Sequence, residues 1–267
     1  MPRRPRFDLP GTVHHVCIRG IDGRRIFLDD ADPADLLRRF ERWALETKSP
    51  CYAWSFNGNH AHFVIARGER SMGELMARFT SAFAQRFNWH HERGGHLFMG
   101  RYQSRLIRDE SDLRWIVLYA SANPVRHEAM EPTKLDDYRW GSWAGLIGAR
   151  QAFPFESLQL PLSLYGESTM NAQQNLRDAL AAAVRTKWTR PPDARLAPLI
   201  QAACQRHGVS SPEFAGATRP ARAAQNDVLC QAITQLGMTW SDASRELPVS
   251  RSRIARAART VVLPPSE

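Results

Sequence analysis

The first patterned stretch of the chain, TVHHVCIRG at 12–20, alternates and is β-branched at Thr12, Val13, Val16 and Ile18, which predicts a strand. After a turn at Asp22-Gly23, Asp32-Pro33 opens a helix carrying Leu36, Leu37, Phe40, Trp43 and Ala44 at three-and-four spacing, and Pro50 ends it. CYAWSF (51–56) and HAHFVIA (60–66) read as two strands joined by the turn NGN, a hairpin. Ser71-x-x-Glu74 is a capping box. Behind it Met72, Leu75, Met76, Phe79, Phe83 and Phe87 form one apolar helix face that runs to Gly94-Gly95. LFMGRYQSRLIR (97–108) predicts a fourth strand, and a further helix runs from about Asp109 to Asn123, where Asn-Pro breaks it. The order βαββαβα implies an α+β fold, a ferredoxin-like antiparallel sheet with helices on one face.

After Trp143 the pattern changes. QAFPFESLQLPLSLYG (151–166) is punctuated by proline and reads as a connector packed against something. Helical patterns follow at 171–188, 195–206, 220–236, 240–247 and 250–260, with no repeat or low-complexity tract. The expected organisation is a sheet domain at 1–148, a connector with a helix at 149–190 and an all-α domain at 191–267.

The 267 residues, 43% of them hydrophobic, suffice for one large core or two ordinary ones. No run of eighteen apolar residues spans a membrane, and MPRRPRFDLPG lacks the apolar segment of a secretory signal, so the chain is expected to be cytoplasmic. Cys17, Cys51, Cys204 and Cys230 form no C-x-x-C pair, which fits reduced thiols and argues against a zinc ribbon. Thirty-six Lys+Arg against 27 Asp+Glu give a net charge of +9, and only Lys48, Lys134 and Lys187 are lysines. The positive excess points to a polyanion, and arginine's planar fork suits phosphate oxygens.

One short motif brings chemistry. On a strand, residues two apart share a face, so His60 and His62 can hold one metal ion between their imidazoles; two polar residues on a wet face would show the same spacing. In the helix after the fourth strand, Leu113, Ile116, Val117 and Ala120 form the core stripe, and Tyr119 and Asn123 fall together on its flank. Two imidazoles and an amide oxygen would leave coordination positions for phosphate oxygens, with Tyr119 as a nucleophile; helix geometry alone favours an ordinary amphipathic residue there.

The runs LPGTVHHVCIRGIDGRRIFLDD, NHAHFVI, GGHLFMGRYQSRLI, LYASANPVR and DDYRWGSW together resemble the REP-associated tyrosine transposases, single-tyrosine HUH enzymes, over about residues 9–146. The resemblance implies a metal-dependent endonuclease and strand transferase acting on single-stranded DNA at hairpins such as repetitive extragenic palindromes. It places the metal ligands on His60, His62 and Asn123, and the nucleophile on Tyr119, which would form a 5′-phosphotyrosine. It implies magnesium or manganese as the cation. Two positions depart from the family pattern: Gly58 stands where proline is common, and Gln103 where lysine is often found.

Arg101, Arg105 and Arg108 are candidates for the DNA backbone, although they alternate and cannot all face one way. Arg3, Arg4 and Arg6 could form an arm or a solubilising tail. GMTWSDASRELPVSRSRIARAAR (237–259) has helix-turn-helix form, with Arg251, Arg253, Arg256 and Arg259 loading its second helix for duplex DNA. From about Leu196 to Arg259 the chain resembles the DNA-binding domain of the bacterial replication initiator DnaA, although VSRSR replaces that domain's signature at the recognition helix. The expected partner is hairpin DNA, with the protein a monomer or homodimer associated with the nucleoid. Two competing readings are a catalytically inactive DNA-binding regulator and a two-histidine metal hydrolase of small molecules.

Overall fold

A computed structural model of the chain describes residues 8–126, 130–188, 195–236, 238, 243, 246–250 and 253. The chain divides into two compact units, 1–189 and 190–267. The first is a mixed α+β unit built on a four-stranded antiparallel sheet.

Its strands are β1 (Val13–Arg19), β2 (Cys51–Asn57), β3 (His60–Ala66) and β4 (Gln103–Leu106), in the order β2-β3-β1-β4. Helix α1 (Ala31–Glu46) joins β1 to β2, α2 (Met72–His90) joins β3 to β4, and α3 (Glu110–Ser121) follows β4. The N-termini of α2 and α3 are capped as their sequences require: Ser71 Oγ accepts from Glu74 N at 3.1 Å, and Asp109 Oδ1 from Asp112 N at 2.8 Å.

Alternation in the strands sends two sets of side chains in opposite directions. Val16, Ile18, Trp54, Phe56, Ala61, Phe63 and Ile65 meet Leu36, Phe40 and Ala44 of α1 and the six-residue apolar face of α2 in one core. Tyr52, Ala53, Val64 and Ala66 meet Leu113, Ile116, Val117 and Ala120 of α3 in a second. The expectation of helices on one face is therefore corrected: both faces are covered. The reason is that β2 and β3 are apolar on both sides, so each face needs a layer to exclude water.

Two other elements differ from their sequence expectation. The predicted fourth strand at 97–108 is regular only over Gln103–Leu106, and Phe98 makes an isolated bridge to Gly20. Gly100, at φ 147°, departs from the pleat between those pieces. Helix α2 ends at His90 rather than running to Gly94-Gly95, because Glu92 enters the left-handed region at φ 48°.

Four helices complete the first unit: α4 (Asn123–Arg126), α5 (Trp143–Leu146), α6 (Gln159–Ser163) and α7 (Thr169–Arg185). The proline-punctuated segment packs on the sheet unit. Cys51 N donates to Phe155 O at 3.0 Å and Ser157 N to Cys51 O at 2.9 Å, which extends the free edge of β2. Leu176 and Leu180 of α7 join the second core. The Glu156 side chain is fully buried, where it accepts from Arg150 at 2.7 Å and from Trp54 Nε1 at 2.7 Å.

The second unit packs α8 (Leu196–His207) against α9 (Arg219–Thr234) around Ala203, Phe214, Val228, Leu229 and Ala232. Most of the expected helix-turn-helix, including Arg251, Arg256 and Arg259, lies outside the described residues, as do Arg3, Arg4 and Arg6. Among the described residues no helix is long and apolar enough to cross a membrane.

Removing the Glu156 carboxylate strands the Arg150 guanidinium and the Trp54 indole N–H. Glu156→Ala is expected to cost about 3–5 kcal/mol, the range for breaking one side of a buried ion pair. Urea unfolding followed by tryptophan fluorescence measures it.

Candidate active site

The sheet face beneath α3 is apolar toward one end and polar toward the other. Register puts Ser55 opposite His62 and Asn57 opposite His60 on β2, and Cys17 opposite His62 and Arg19 opposite His60 on β1. Opposed residues share a face, so all six side chains lie on the side that α3 covers. Tyr119 and Asn123 come down onto it from α3 and the turn into α4.

The structure brings the four residues picked out in the sequence together. His60 Nε2 lies 3.0 Å from Asn123 Oδ1. The rings of His60 and His62 are 4.9 Å apart and nearly perpendicular. The Tyr119 ring stands edge-on to His62 at 5.5 Å. Asn123 is fully buried although it has moved out of α3, which ends at Ser121; the side chain acts from the first residue of α4.

The His60 contact has an electrostatic peculiarity. Asn59 Nδ2 donates to Gly23 O at 3.0 Å, which turns Asn59 Oδ1 toward His60 Nδ1 at 2.7 Å. An amide oxygen only accepts, so His60 Nδ1 carries the proton of the neutral imidazole. The Nε2 lone pair then faces the Asn123 oxygen, another acceptor. Asn123 Nδ2 is buried without a hydrogen bond, so the amide presents its oxygen at the expense of its own donor. Two acceptors in contact are reconciled by a positive charge between them, either a second proton on the imidazole or a metal ion.

A divalent cation fits that requirement. Two cis ligands of an octahedral ion bound at about 2.1 Å lie about 3.0 Å apart, which matches the spacing of Nε2 and Oδ1. Imidazole, imidazole and amide oxygen is a borderline-to-hard donor set suited to manganese or magnesium and leaves room for oxygen ligands.

His15 was not picked out in the sequence. It sits on β1, with Nε2 2.9 Å from His62 Nδ1 and the two rings stacked at 5.0 Å. Tyr119 stands edge-on to it at 5.7 Å. Burial, with the Arg105 guanidinium adding to it, pushes His15 down to about 3, so the ring is neutral and can accept from His62 Nδ1–H. With His15 as the acceptor, His62 carries its proton on Nδ1 and offers Nε2 as the ligating atom. The HH dipeptide at 14–15 hid this role, because His14 points the other way, to Thr12 at 2.9 Å and Ser104 at 3.1 Å. Cys17 beside them is held as a thiol, its burial raising it to about 11 despite Arg19.

The arginines separate. Arg105 forms an ion pair with the buried Asp112 at the start of α3 and holds β4 to that helix. Arg101 is exposed and Arg108 half-buried. Arg126, seven residues beyond Tyr119, places its guanidinium 4.9 Å from the centre of the Tyr119 ring. In the second unit Arg253 donates to Gln225 Oε1 at 2.6 Å, Arg222 O at 2.8 Å and Asn226 Oδ1 at 2.6 Å. Arg253 thus clamps its segment to α9 instead of presenting its fork outward.

A second group of ligand-type side chains, Asp29, His90 and His91, lies where α1 begins and α2 ends. His90 bonds Asp29 at 3.0 Å, His91 bonds the buried Asp32 at 2.9 Å, and Arg86 also meets Asp32 at 2.9 Å. With a cation already present, this is an ion-paired joint between helices.

No protein-family model and no curated protein matches the chain. Among solved structures, that of a REP-associated tyrosine transposase bound to a REP hairpin is 17% identical. The match covers 59% of this chain and 91% of that one, with a TM-score of 0.47.

Loss of the His15 imidazole frees the His62 ring to change tautomer and orientation. His15→Ala is expected to weaken manganese binding roughly 10–100-fold, the usual effect of losing a partner that orients a ligand. Calorimetric titration with Mn²⁺ checks this, with circular dichroism confirming the fold.

Proposed function

We propose that the protein is a metal-dependent single-stranded DNA endonuclease and strand transferase that acts at hairpin-forming palindromes through a covalent tyrosine intermediate. The observation that carries this reading is the pair of facing acceptors, His60 Nε2 and Asn123 Oδ1, 3.0 Å apart on the sheet face where Tyr119 stands against His62. Support comes also from the five sequence blocks that resemble REP-associated tyrosine transposases, and from the net charge of +9. The chain order βαββαβ with strand order β4-β1-β3-β2 agrees with the ferredoxin-like sheet expected of such enzymes.

His60, His62 and Asn123 would hold magnesium or manganese. The cation, when bound, would polarise a phosphate of the DNA backbone and offset its charge. The chain's own residues do the rest. His15 and Asn59 would hold the two ligating imidazoles in the tautomer that offers Nε2 to the cation. Burial of Asn123 in the helix turn holds its oxygen in place. Tyr119 supplies the nucleophile: its phenolic oxygen bonds to phosphorus and its proton passes to solvent. The bond from phosphorus to the 3′-oxygen breaks, and that oxygen takes up a proton to leave as a 3′-hydroxyl. The product is a 5′-phosphotyrosine, whose bond energy is retained so that a 3′-hydroxyl can reverse the step. Arg126, over the tyrosine ring, would supply positive charge beside the reacting phosphate.

Residues 1–148 would form the catalytic domain, 149–190 its connector, and 191–267 a helix-turn-helix domain that grips the hairpin stem or adjoining duplex. On this reading the protein works in the cytoplasm on nucleoid DNA. Arg101 and Arg108 remain candidates for the backbone, whereas Arg105 and Arg253 act by holding the scaffold.

Incubation with single-stranded hairpin oligonucleotides in Mg²⁺ or Mn²⁺ is expected to give a shorter strand and a covalent protein–DNA band on a denaturing gel. Tyr119→Phe should lose both, as should EDTA treatment. His60→Ala should lower cleavage by about a hundredfold or more, in line with removal of a charge-stabilising group. Tight binding with no cut across such hairpins would favour the inactive regulator.

A further inference from the structure

Strand β1 places Val13, His15, Cys17 and Arg19 on the face that carries the candidate metal ligands, and its register sets Arg19 directly opposite His60. Arg19 is the last residue of the strand and is exposed. The chain turns back at once behind it, and Gly20 allows this, because a Cβ there would run into the carbonyl oxygen of Arg24. Gly20 N donates to Asn59 O at 2.9 Å and Met99 N to Arg19 O at 2.9 Å, which pins the Arg19 backbone between β3 and the segment before β4. The same turn supplies Gly23 O, the acceptor that orients Asn59 toward His60. One local fold therefore sets both the His60 ring and the arginine beside it. Other arginines of this unit are held by buried carboxylates: Arg39 by Asp35, Arg86 by Asp32 and Arg150 by Glu156. Arg105, on the same face one strand over, is held by Asp112. Arg19 has no ion pair and no side-chain hydrogen bond among the described residues. Helices α3 and α4 lie mainly over β2 and β3, so Asn123 reaches His60 from one side and Arg19 stands on the other, uncovered side.

We infer that Arg19 is a further catalytic residue, whose guanidinium donates hydrogen bonds to a non-bridging oxygen of the phosphate that Tyr119 attacks. The inference rests on the proposed nuclease reading and adds a residue to its machinery. Attack by a phenolic oxygen that has given up its proton adds a negative charge to a phosphate that already carries one. A cation at His60 engages one non-bridging oxygen and leaves the other to find donors of its own. A guanidinium fork supplies paired N–H donors together with a full charge that does not titrate. Its place across the histidines from Asn123 puts that charge on the side of the phosphate that the ligands do not reach. Arg126 lies over the Tyr119 ring, so the two arginines act at different points: one beside the nucleophile, the other beside His60. The phosphate takes the place of the carboxylate that Arg39, Arg86, Arg105 and Arg150 each find within the chain.

The test compares the full chain with Arg19→Lys and Arg19→Ala on the hairpin oligonucleotide that the wild type cleaves fastest in Mn²⁺. Covalent adduct formation is timed in single turnover at saturating DNA, and Mn²⁺ affinity is read by calorimetry on the same preparations. Arg19→Ala is expected to slow the adduct step roughly 100–1000-fold, the usual loss of one charge-stabilising donor, with Mn²⁺ affinity within about twofold of wild type. Arg19→Lys should recover about tenfold of that loss, because it restores the charge without the fork. A wild-type rate in Arg19→Ala would overturn the inference. So would a defect that saturating DNA removes, which marks a residue that only tracks the backbone. A defect matched by an equal loss of Mn²⁺ affinity would overturn it too, since Arg19 would then act by holding His60. If the wild type forms no Tyr119-dependent adduct on any hairpin, the nuclease reading fails and takes this inference with it. An adduct that forms equally fast without Arg19 removes this inference alone.

Discussion

The structure depends on one constraint, the two-residue period of β3 in a sheet that is buried on both sides. Ala61, Phe63 and Ile65 enter the core under α1 and α2, and Val64 and Ala66 enter the core under α3. His60 and His62 share the second face but lie beyond its apolar end, so the hydrophobic register that fixes the fold also fixes the imidazoles. A slip of one residue would drive both histidines into the larger core and turn Phe63 to the face that α3 covers. The positions of the candidate ligands therefore follow from burial.

The same constraint explains how an amide and a tyrosine come to face them. Helix α3 buries Leu113, Ile116, Val117 and Ala120 against the sheet, which sets its rotation, and that rotation brings Tyr119 down beside His62. Ending the helix at Ser121 then lets Asn123 reach His60 from a buried turn. Arg105 and Asp112 hold the start of the helix to β4, so a residue that reads as a DNA contact in the sequence contributes by fixing the angle of the helix. The polar groups around the ligands form a chain from Gly23 through Asn59 to His60, and another from His15 to His62. These contacts lie on the Nδ1 side of both rings and leave Nε2 of His60 facing Asn123.

Much of this was legible in the sequence because it is local. The capping box at Ser71, the apolar face of α2, the hairpin and the bounds of β3 depend on residues within one or two turns of each other, and the structure shows them. So does the α3 stripe, from which Tyr119 and Asn123 were singled out. What was not legible is set by contacts distant along the chain. His15 lies 47 residues from His62, and alternation alone does not say which of two adjacent histidines turns toward the site. The second helical layer could not be read from element order, because both faces of β2 and β3 are apolar and the covering α7 follows a proline-rich segment. Arg253 reads as part of a basic helix, yet three acceptors on α9 hold it. Gly100 broke the fourth strand at a residue that sequence alternation ignores.

The most direct test of the central claim is a crystal of the protein soaked in Mn²⁺, with the metal located by its anomalous scattering. The account predicts a peak bonded to His60 Nε2, His62 Nε2 and Asn123 Oδ1 at about 2.0–2.2 Å, with its remaining positions open to solvent. A peak at Asp29, His90 and His91 alone, or no peak at the paired acceptors, would contradict it.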